Sequence, residues 1–320
     1  MSNIGPISVF ATNSGKVLAE KICALLSLPL GKAKIEKFND GEINVKIEDS
    51  VRGDDVFIVT DIHGSADNLM EAIFLADAAR MSSAGRVTFI ITKFGQDRSD
   101  RKDEPRKPIG VKLVIKMLEC ALPNRVIVLD IHSEQSMAIF TTPVCDHLFG
   151  SAIAIRYLPD ILKQESFVVG APDQGGVPRA RKYARLLGQE EIVFFSKERV
   201  SAGEVKNGSI RILGDVLGKI VLLVDDMIDT GGTVIADAEA AKRAGATKVY
   251  VFATHAIFSK DAIERIMRSE IDRVFVTDSI YHDPEKLEAG KITILSSAPL
   301  LADAIRRTHD NQSLTGLIPS

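Results

Sequence analysis

The sequence predicts an α/β protein of two domains, each a mostly parallel sheet covered by helices, and three observations carry that expectation. Apolar runs rich in Val, Ile and Phe recur through the 320 residues, segments of helical period separate them, and several runs end in a carboxylate or a histidine. The runs are continuous, not alternating, which is the pattern of strands buried on both faces. Strand alternating with helix means βαβ units, and hence parallel sheets with helices on both sides.

Taken in order, MSNIGPISVFATNSGK reads as a strand leading into a helix, without the basic start and long apolar stretch of a secretory signal. Strands are then expected at VFIVTD (56–61), VTFIIT (87–92), RVIVLD (125–130) and SFVVGAPD (166–173). The series continues at EIVFFSK (191–197), KIVLLVDD (219–226), KVYVFATH (248–255) and RVFVTD (273–278). Between them, DNLMEAIFLADAARM, IGVKLVIKMLECA, TVIADAEAAKRAGA and KDAIERIMRSE have helical period. The loop TTPVCDHLFGS, followed by a fresh helix SAIAIRYLPDILKQ, places a boundary near residue 150. The expected domains are 1–149 and 150–297, with 298–320 a C-terminal helix and tail that packs back on the first.

Composition narrows the function classes. Hydrophobic residues make up 45% and charged residues 26%, as in a soluble globular protein, and no run of about 18 apolar residues offers a membrane span. The expectation is a cytosolic protein. A formal net charge of -3 gives no general attraction to nucleic acid or anionic lipid, so an anion must be held by a local site. Cys23, Cys120 and Cys145 are odd in number and widely spaced, which fits three reduced thiols better than a disulfide framework or a metal motif. Together these point to a small anionic substrate.

In parallel sheets, ligands bind beyond the carboxyl ends of the strands, and those ends carry Asp61, Asp130 with His132, Asp173, Asp225 with Asp226, and His255. An aspartate there also caps the following helix, which accounts for part of the set. The most informative segment is KIVLLVDDMIDTGGTVIADA. Asp229 opens a turn in which Gly231 and Gly232 bend the backbone tightly and expose successive N–H groups, while Thr230 and Thr233 add hydroxyls. The turn sits at the positive end of the next helix, which suits a phosphate monoester. Asp225 and Asp226 can accept from sugar hydroxyls or bind Mg²⁺ through water. Alone, DTGG is also an ordinary cap and turn. With a buried strand before it and a helix after it, the segment resembles the ribose-phosphate loop of the phosphoribosyltransferase superfamily, which includes enzymes that make phosphoribosyl pyrophosphate and enzymes that use it.

A second resemblance, over nearly the whole chain, is to the class I ribose-phosphate pyrophosphokinases. It implies two phosphoribosyltransferase-like domains, ATP on the first and ribose 5-phosphate on the second. FNDGEINVKIEDSVRGDDVFIV resembles that family's adenine segment, which implies that Phe38 stacks on the base while Asp40 and Glu42, on the turn with Gly41, accept from its exocyclic amine across a subunit boundary. One aromatic and two acceptors suit a purine's flat face and polar edge. In GQDRSDRKDEPRKPIG the family pattern puts Arg98 on the ATP phosphates, and Ser99 stands where the family has Gln. VIVLDIHSEQS implies that His132 faces metal and ATP, and APDQGGVPRARKYA implies that Asp173 binds Mg²⁺, with Gln174 in place of the family's His. The other histidines, His63, His147, His255, His282 and His309, are expected to be structural or superficial.

KERVSAGEVKNGSI resembles the family's mobile catalytic flag. Lys197 and Arg199 are two apart, so they share a side if extended, and Asn207-Gly208 is expected to form the hairpin turn. The resemblance thus implies transfer of the pyrophosphoryl group of ATP to the C1 hydroxyl of ribose 5-phosphate, with Mg²⁺ as cofactor. It assigns catalysis to Lys197 and Arg199, and sugar-phosphate binding to Arg199, Asp225, Asp226 and Asp229–Thr233. It also implies a homo-oligomer built on dimers, as a hexamer, with no nucleic-acid or membrane partner. Two rivals stand beside it: a non-catalytic associated regulatory subunit, whose sign would be a broken flag or loop, and a phosphoribosyltransferase acting on a base, which leaves FNDGE and Arg98 without a role. Glu134 and Met137 replace small or amide side chains near the family's regulatory phosphate site, and a carboxylate there predicts weak activation by phosphate.

Overall fold

The computed structural model describes residues 4–141, 143–162, 165–201, 204–283, 287 and 290–319, and for 197–201 and 204–209 the backbone alone. The chain divides into two compact units, one of residues 1–149, 279–281 and 297–318, the other of 150–278, 282–296 and 319–320.

The first unit is built on five parallel strands: β1 (Ile7–Ala11), β4 (Asp55–Asp61), β5 (Arg86–Lys93), β6 (Arg125–Leu129) and β7 (Val144–Leu148), in that order across the sheet. Every residue of β4 is buried, which is why its run VFIVTD does not alternate. Val56 and Ile58 pack with α2 (Ala66–Met81) and α3 (Gly110–Cys120) in one core cluster. The helix α1 (Lys16–Leu26) touches β1 and β4 and packs against α8 (Ala298–His309). Asp55, wholly buried at the start of β4, anchors α8 by accepting from Arg86 and bonding His309 Nδ1 at 3.0 Å. A separate antiparallel hairpin, β2 (Ala33–Lys37) and β3 (Ile43–Ile47), adds Ile35 and Val45 to the core.

The loop expected at TTPVCDHLFGS is not loop throughout, because VCDHL forms β7. Pairing to the backbone of β6 decides the matter, and an edge strand tolerates Asp146 and His147 where a central one would not.

The second unit carries seven strands in the order β10-β9-β8-β11-β12-β13-β14. They are β8 (Phe167–Ala171), β9 (Ile192–Ser201), β10 (Glu204–Leu213), β11 (Ile220–Ile228), β12 (Lys248–Ala256), β13 (Arg273–Thr277) and β14 (Ile292–Leu295). All neighbours are parallel except β9 and β10. Its helices are α4 (Ser151–Leu162), α5 (Val177–Leu186), α6 (Gly232–Arg243) and α7 (Ala262–Arg268). Val234, Ala238 and Ala241 of α6 join Val221, Leu223, Val249 and Val251 in the main core. Each fully buried Val or Leu contributes about 1.5 to 3 kcal/mol against exposure, so this face fixes where α6 begins.

The chain leaves β8 toward β9 on one side and β11 toward β12 on the other, so the order reverses between β8 and β11. Such a switch point opens a crevice at the strand ends. Cys23, Cys120 and Cys145 are free thiols. Among the described residues no helix is long and apolar enough to cross a membrane.

Candidate active site

In the second unit, β11 delivers Asp225 half-buried and Asp226 only 2% exposed to the mouth of the switch point. Neither acts as a plain helix cap. Arg179, in the first turn of α5, donates through Nη1 to Oδ1 of both carboxylates at 3.1 Å. The backbone N–H of Asp226 also donates to Asp225 Oδ1 at 2.9 Å. Burial, then the charge of Asp226, pushes the Asp225 carboxyl well above its usual range, and Arg179 opposes that shift. The result is a paired acceptor with one clamped cation, apt for vicinal hydroxyls.

The loop that follows is pinned from β12 and α7. The backbone N–H groups of Ile257 and Phe258 donate to Ile228 O at 2.9 and 3.0 Å, the Ser259 hydroxyl donates to Asp229 Oδ1, and Arg265 Nη1 donates to Thr230 O at 3.1 Å. Gly231 has φ 72°, a left-handed conformation that side chains resist, and it caps α6. The turn therefore presents the unbonded first N–H groups of a 12-residue helix beside two threonines, which is an anion cradle in geometry and sign. Just past β8, exposed Asp173 accepts from Gly176 N, the residue before α5, at 2.8 Å, so this aspartate steadies the entry to that helix.

The first unit supplies a different set. Phe38 N donates to Glu42 O at 2.8 Å, Gly41 N to Phe38 O at 2.9 Å, and Glu42 N to Asp40 Oδ1 at 3.1 Å, with Gly41 at φ 95°. This tight turn holds Phe38 with 55% of its surface exposed, so it is no core phenylalanine. An exposed aromatic beside two carboxylates on a rigid turn can take a base.

Arg98 is exposed, and its neighbour Ser99 closes the loop. Gly110 N donates to the Ser99 hydroxyl at 3.1 Å, that hydroxyl donates to Pro108 O at 3.4 Å, and Val111 N donates to Ser99 O at 3.2 Å. Ser99 thus ties the charged segment to the first turn of α3.

His132 is exposed just past β6, and its backbone N–H donates to Asp97 Oδ2 at 3.4 Å. His147 has a structural task there, its Nε2 accepting from Ile131 N at 3.1 Å. Asp97 is in turn paired with Lys93, and both are buried. Asp61, at the end of β4, has its carboxyl pushed up to about 7 by burial, against the pull of His63 N–H and Lys93.

Lys197 and Arg199 fall on the backbone of β9, paired with Ile210 and Val205 of β10, and their side chains lie outside the described residues. The hairpin turn is not at Asn207-Gly208. Ser201 pairs with Glu204, and Asn207-Gly208 lies within β10, in the register shift between Val205 and Ile210; residues 202–203 lie outside the described residues.

Among the described residues no group of three His, Cys, Asp or Glu side chains could hold a metal alone. Mg²⁺ in phosphate-handling sites needs no such group, because it binds through one or two carboxylates plus waters and substrate oxygens. The exposed carboxylate of Asp173 fits such a role.

Sequence reasoning placed the cradle residues on one loop and Phe38, Asp40, Gly41 and Glu42 on one turn, and the structure does bring each set together. It missed Arg179, Lys93 and Asp97. Arg179 was open to discovery as a cation in the first helical turn after APDQGG, whereas a buried lysine inside an apolar strand has no local signature.

Comparison with known proteins adds the last observations. Residues 7–121 match the family model described as the N-terminal domain of ribose phosphate pyrophosphokinase, and residues 190–318 match the phosphoribosyl synthetase-associated domain. The chain is 44% identical over 317 residues to ribose-phosphate pyrophosphokinase of Porphyromonas gingivalis, with 99% of each chain covered. It is 44% identical over 317 residues to the enzyme of that name from Chlorobaculum tepidum, covering 98% of this chain and 96% of the relative. The crystal structure of phosphoribosylpyrophosphate synthetase from Mycobacterium smegmatis superposes with a TM-score of 0.88 at 33% identity, covering 96% of this chain and 99% of that one.

Proposed function

We infer the activity from the premise that this chain belongs to the ribose-phosphate pyrophosphokinase family. It transfers the β,γ-pyrophosphoryl group of ATP to the C1 hydroxyl of ribose 5-phosphate, giving 5-phospho-α-ribosyl 1-pyrophosphate and AMP. The observation that carries this reading, within that family, is the glycine cradle at Asp229–Thr233 directly beyond the Asp225–Asp226 pair, together with the exposed Phe38 turn of the first unit. A phosphate monoester takes the turn and the α6 N-terminus, and the sugar hydroxyls take the two aspartates.

ATP belongs with the first unit's residues. Phe38 stacks on the base, Asp40 and Glu42 accept from its amine, and Arg98 takes phosphate oxygens. Phosphoryl transfer asks the protein for alignment and for neutralisation of charge more than for covalent help. Lys197 and Arg199 supply that charge at the transferring group. Asp173 and His132 are the residues proposed to hold Mg²⁺, which would neutralise triphosphate charge when bound. The intact D-T-G-G-T loop and the retained Lys197 and Arg199 favour an enzyme over an associated regulatory subunit. A base-specific transferase would give the FNDGE turn and Arg98 nothing to do.

The reading includes a cytosolic homo-oligomer: an adenine site shared between chains needs at least a dimer, and the family resemblance implies a hexamer. The test is to incubate the purified chain with MgATP and ribose 5-phosphate and no nucleobase. AMP should form in step with loss of ATP, and no AMP under any Mg²⁺ concentration would reject the assignment.

A further inference from the structure

We propose that the buried Lys93–Asp97 ion pair is a positioning element that fixes Arg98 and the His132 loop for the nucleotide triphosphate. The proposal rests on the functional reading above. Lys93 is fully buried at the end of β5, Asp97 is 2% exposed, and the ammonium also donates to Phe94 O at 3.1 Å. Taking two ions out of water is costly, and a buried pair often adds no net stability over apolar residues of the same volume. Its placement therefore calls for another account.

The contacts give one. Asp97 Oδ2, which binds Lys93, also accepts from the backbone N–H of His132 at 3.4 Å. Asp97 directly precedes Arg98 in the chain, after Gln96 at a left-handed φ of 58°. Two residues before His132, Asp130 is likewise left-handed, with φ 46°. Two sharply bent segments from neighbouring strand ends, one carrying the arginine and one the histidine, thus meet at a single carboxylate held by the Lys93 ammonium. A fixed charge at the root of both loops sets the spacing between Arg98 and His132, and a displacement of about 1 Å far from the chemistry can lower turnover about 10²-fold. Both side chains are buried, so they act through the residues they hold.

The experiment removes the charges without emptying the space. Lys93→Met combined with Asp97→Leu deletes both ions and the acceptor for His132, and Lys93→Met combined with Asp97→Asn deletes the ions but keeps an acceptor. The melting temperature, KM for MgATP, KM for ribose 5-phosphate and kcat are measured for both and for the parent. MgATP binding is also read by calorimetry, which needs no turnover. The expected result for the Met/Leu variant is a MgATP KM and dissociation constant raised about tenfold or more, with ribose 5-phosphate KM within about twofold and melting near that of the parent. The Met/Asn variant should recover part of the loss. Unchanged MgATP binding and KM in both variants overturns the proposal, and so does an equal loss for both substrates. A parent chain that binds MgATP but makes no AMP sinks the functional reading alone, since calorimetry still decides the positioning claim.

Discussion

Beyond β11 in the second unit, the chain leaves a glycine turn, a helix N-terminus and two carboxylates clamped by Arg179, whereas beyond β5 in the first unit the strand end is filled by the buried Lys93–Asp97 pair and closed by Ser99. Both are ends of parallel strands, where ligands gather in such folds. One end is built to receive an anion into the backbone itself. The other is a solid base from which exposed groups, Arg98 and His132, project on short loops. On the reading proposed above, two sheets of the same class divide a two-substrate reaction, one by what it leaves open and one by what it holds still.

The sharpest break in that division is Lys197→Ala, which on the proposed mechanism removes transition-state charge. AMP formation should fall about 10²- to 10³-fold with ribose 5-phosphate KM little changed, and near-normal turnover would take Lys197 out of the mechanism.

Gly231→Ala attacks the open end alone. Its added methyl would meet Ile266 at 3.4 Å, an ordinary contact, so the cost comes from φ 72° and should be about 1 to 2 kcal/mol of local strain. A loop that shifts to relieve it should raise KM for ribose 5-phosphate about tenfold or more while MgATP binding holds, as separate titrations would show. Equal weakening of both substrates would mean that the two ends are not independent.

Phe38→Ala probes the projecting side of the comparison. Losing one base stack of roughly 1 to 3 kcal/mol should raise the MgATP dissociation constant about tenfold. Because the ring is 55% exposed, melting should move by less than about 2 °C. Calorimetry and thermal melting check both numbers, and unchanged MgATP affinity would remove the ring from the nucleotide site.

The smallest effect concerns the solid base. Burial raises the Asp61 carboxyl to about 7, so the folded state holds this proton more tightly than the unfolded chain. Stability from that proton is fully present below about pH 4, the unfolded value, and is lost as pH rises through about 7. Asp61→Asn should therefore melt on the order of 3 °C or more above the parent at pH 8, with the gain shrinking at pH 5. An equal gain at both values would show that ionisation of Asp61 is not what costs stability.

Much of this was legible in the chain itself. VFIVTD and KIVLLVDD are continuous because β4 and most of β11 are buried on both sides, and DTGGT at a strand-to-helix junction carries its chemistry in local backbone geometry. What escaped depends on pairing across the sequence. VCDHL becomes β7 only because β6 offers a free edge, and Asn207-Gly208 lies inside β10 because that segment pairs with β9. Lys93 reads as a stray charge after VTFIIT until Asp97 and the His132 N–H are seen around it. Arg179 likewise gains its meaning from Asp225 and Asp226, 46 and 47 residues away.

The central claim is that the turn after β11 grips the sugar's phosphate, and a crystal soaked with ribose 5-phosphate tests it most directly. Density for the phosphate within hydrogen-bonding reach of the backbone N–H groups of residues 230–233, with sugar hydroxyls at Asp225 and Asp226, is the predicted result. Sugar phosphate bound elsewhere, with that turn closed by packed side chains, would contradict it.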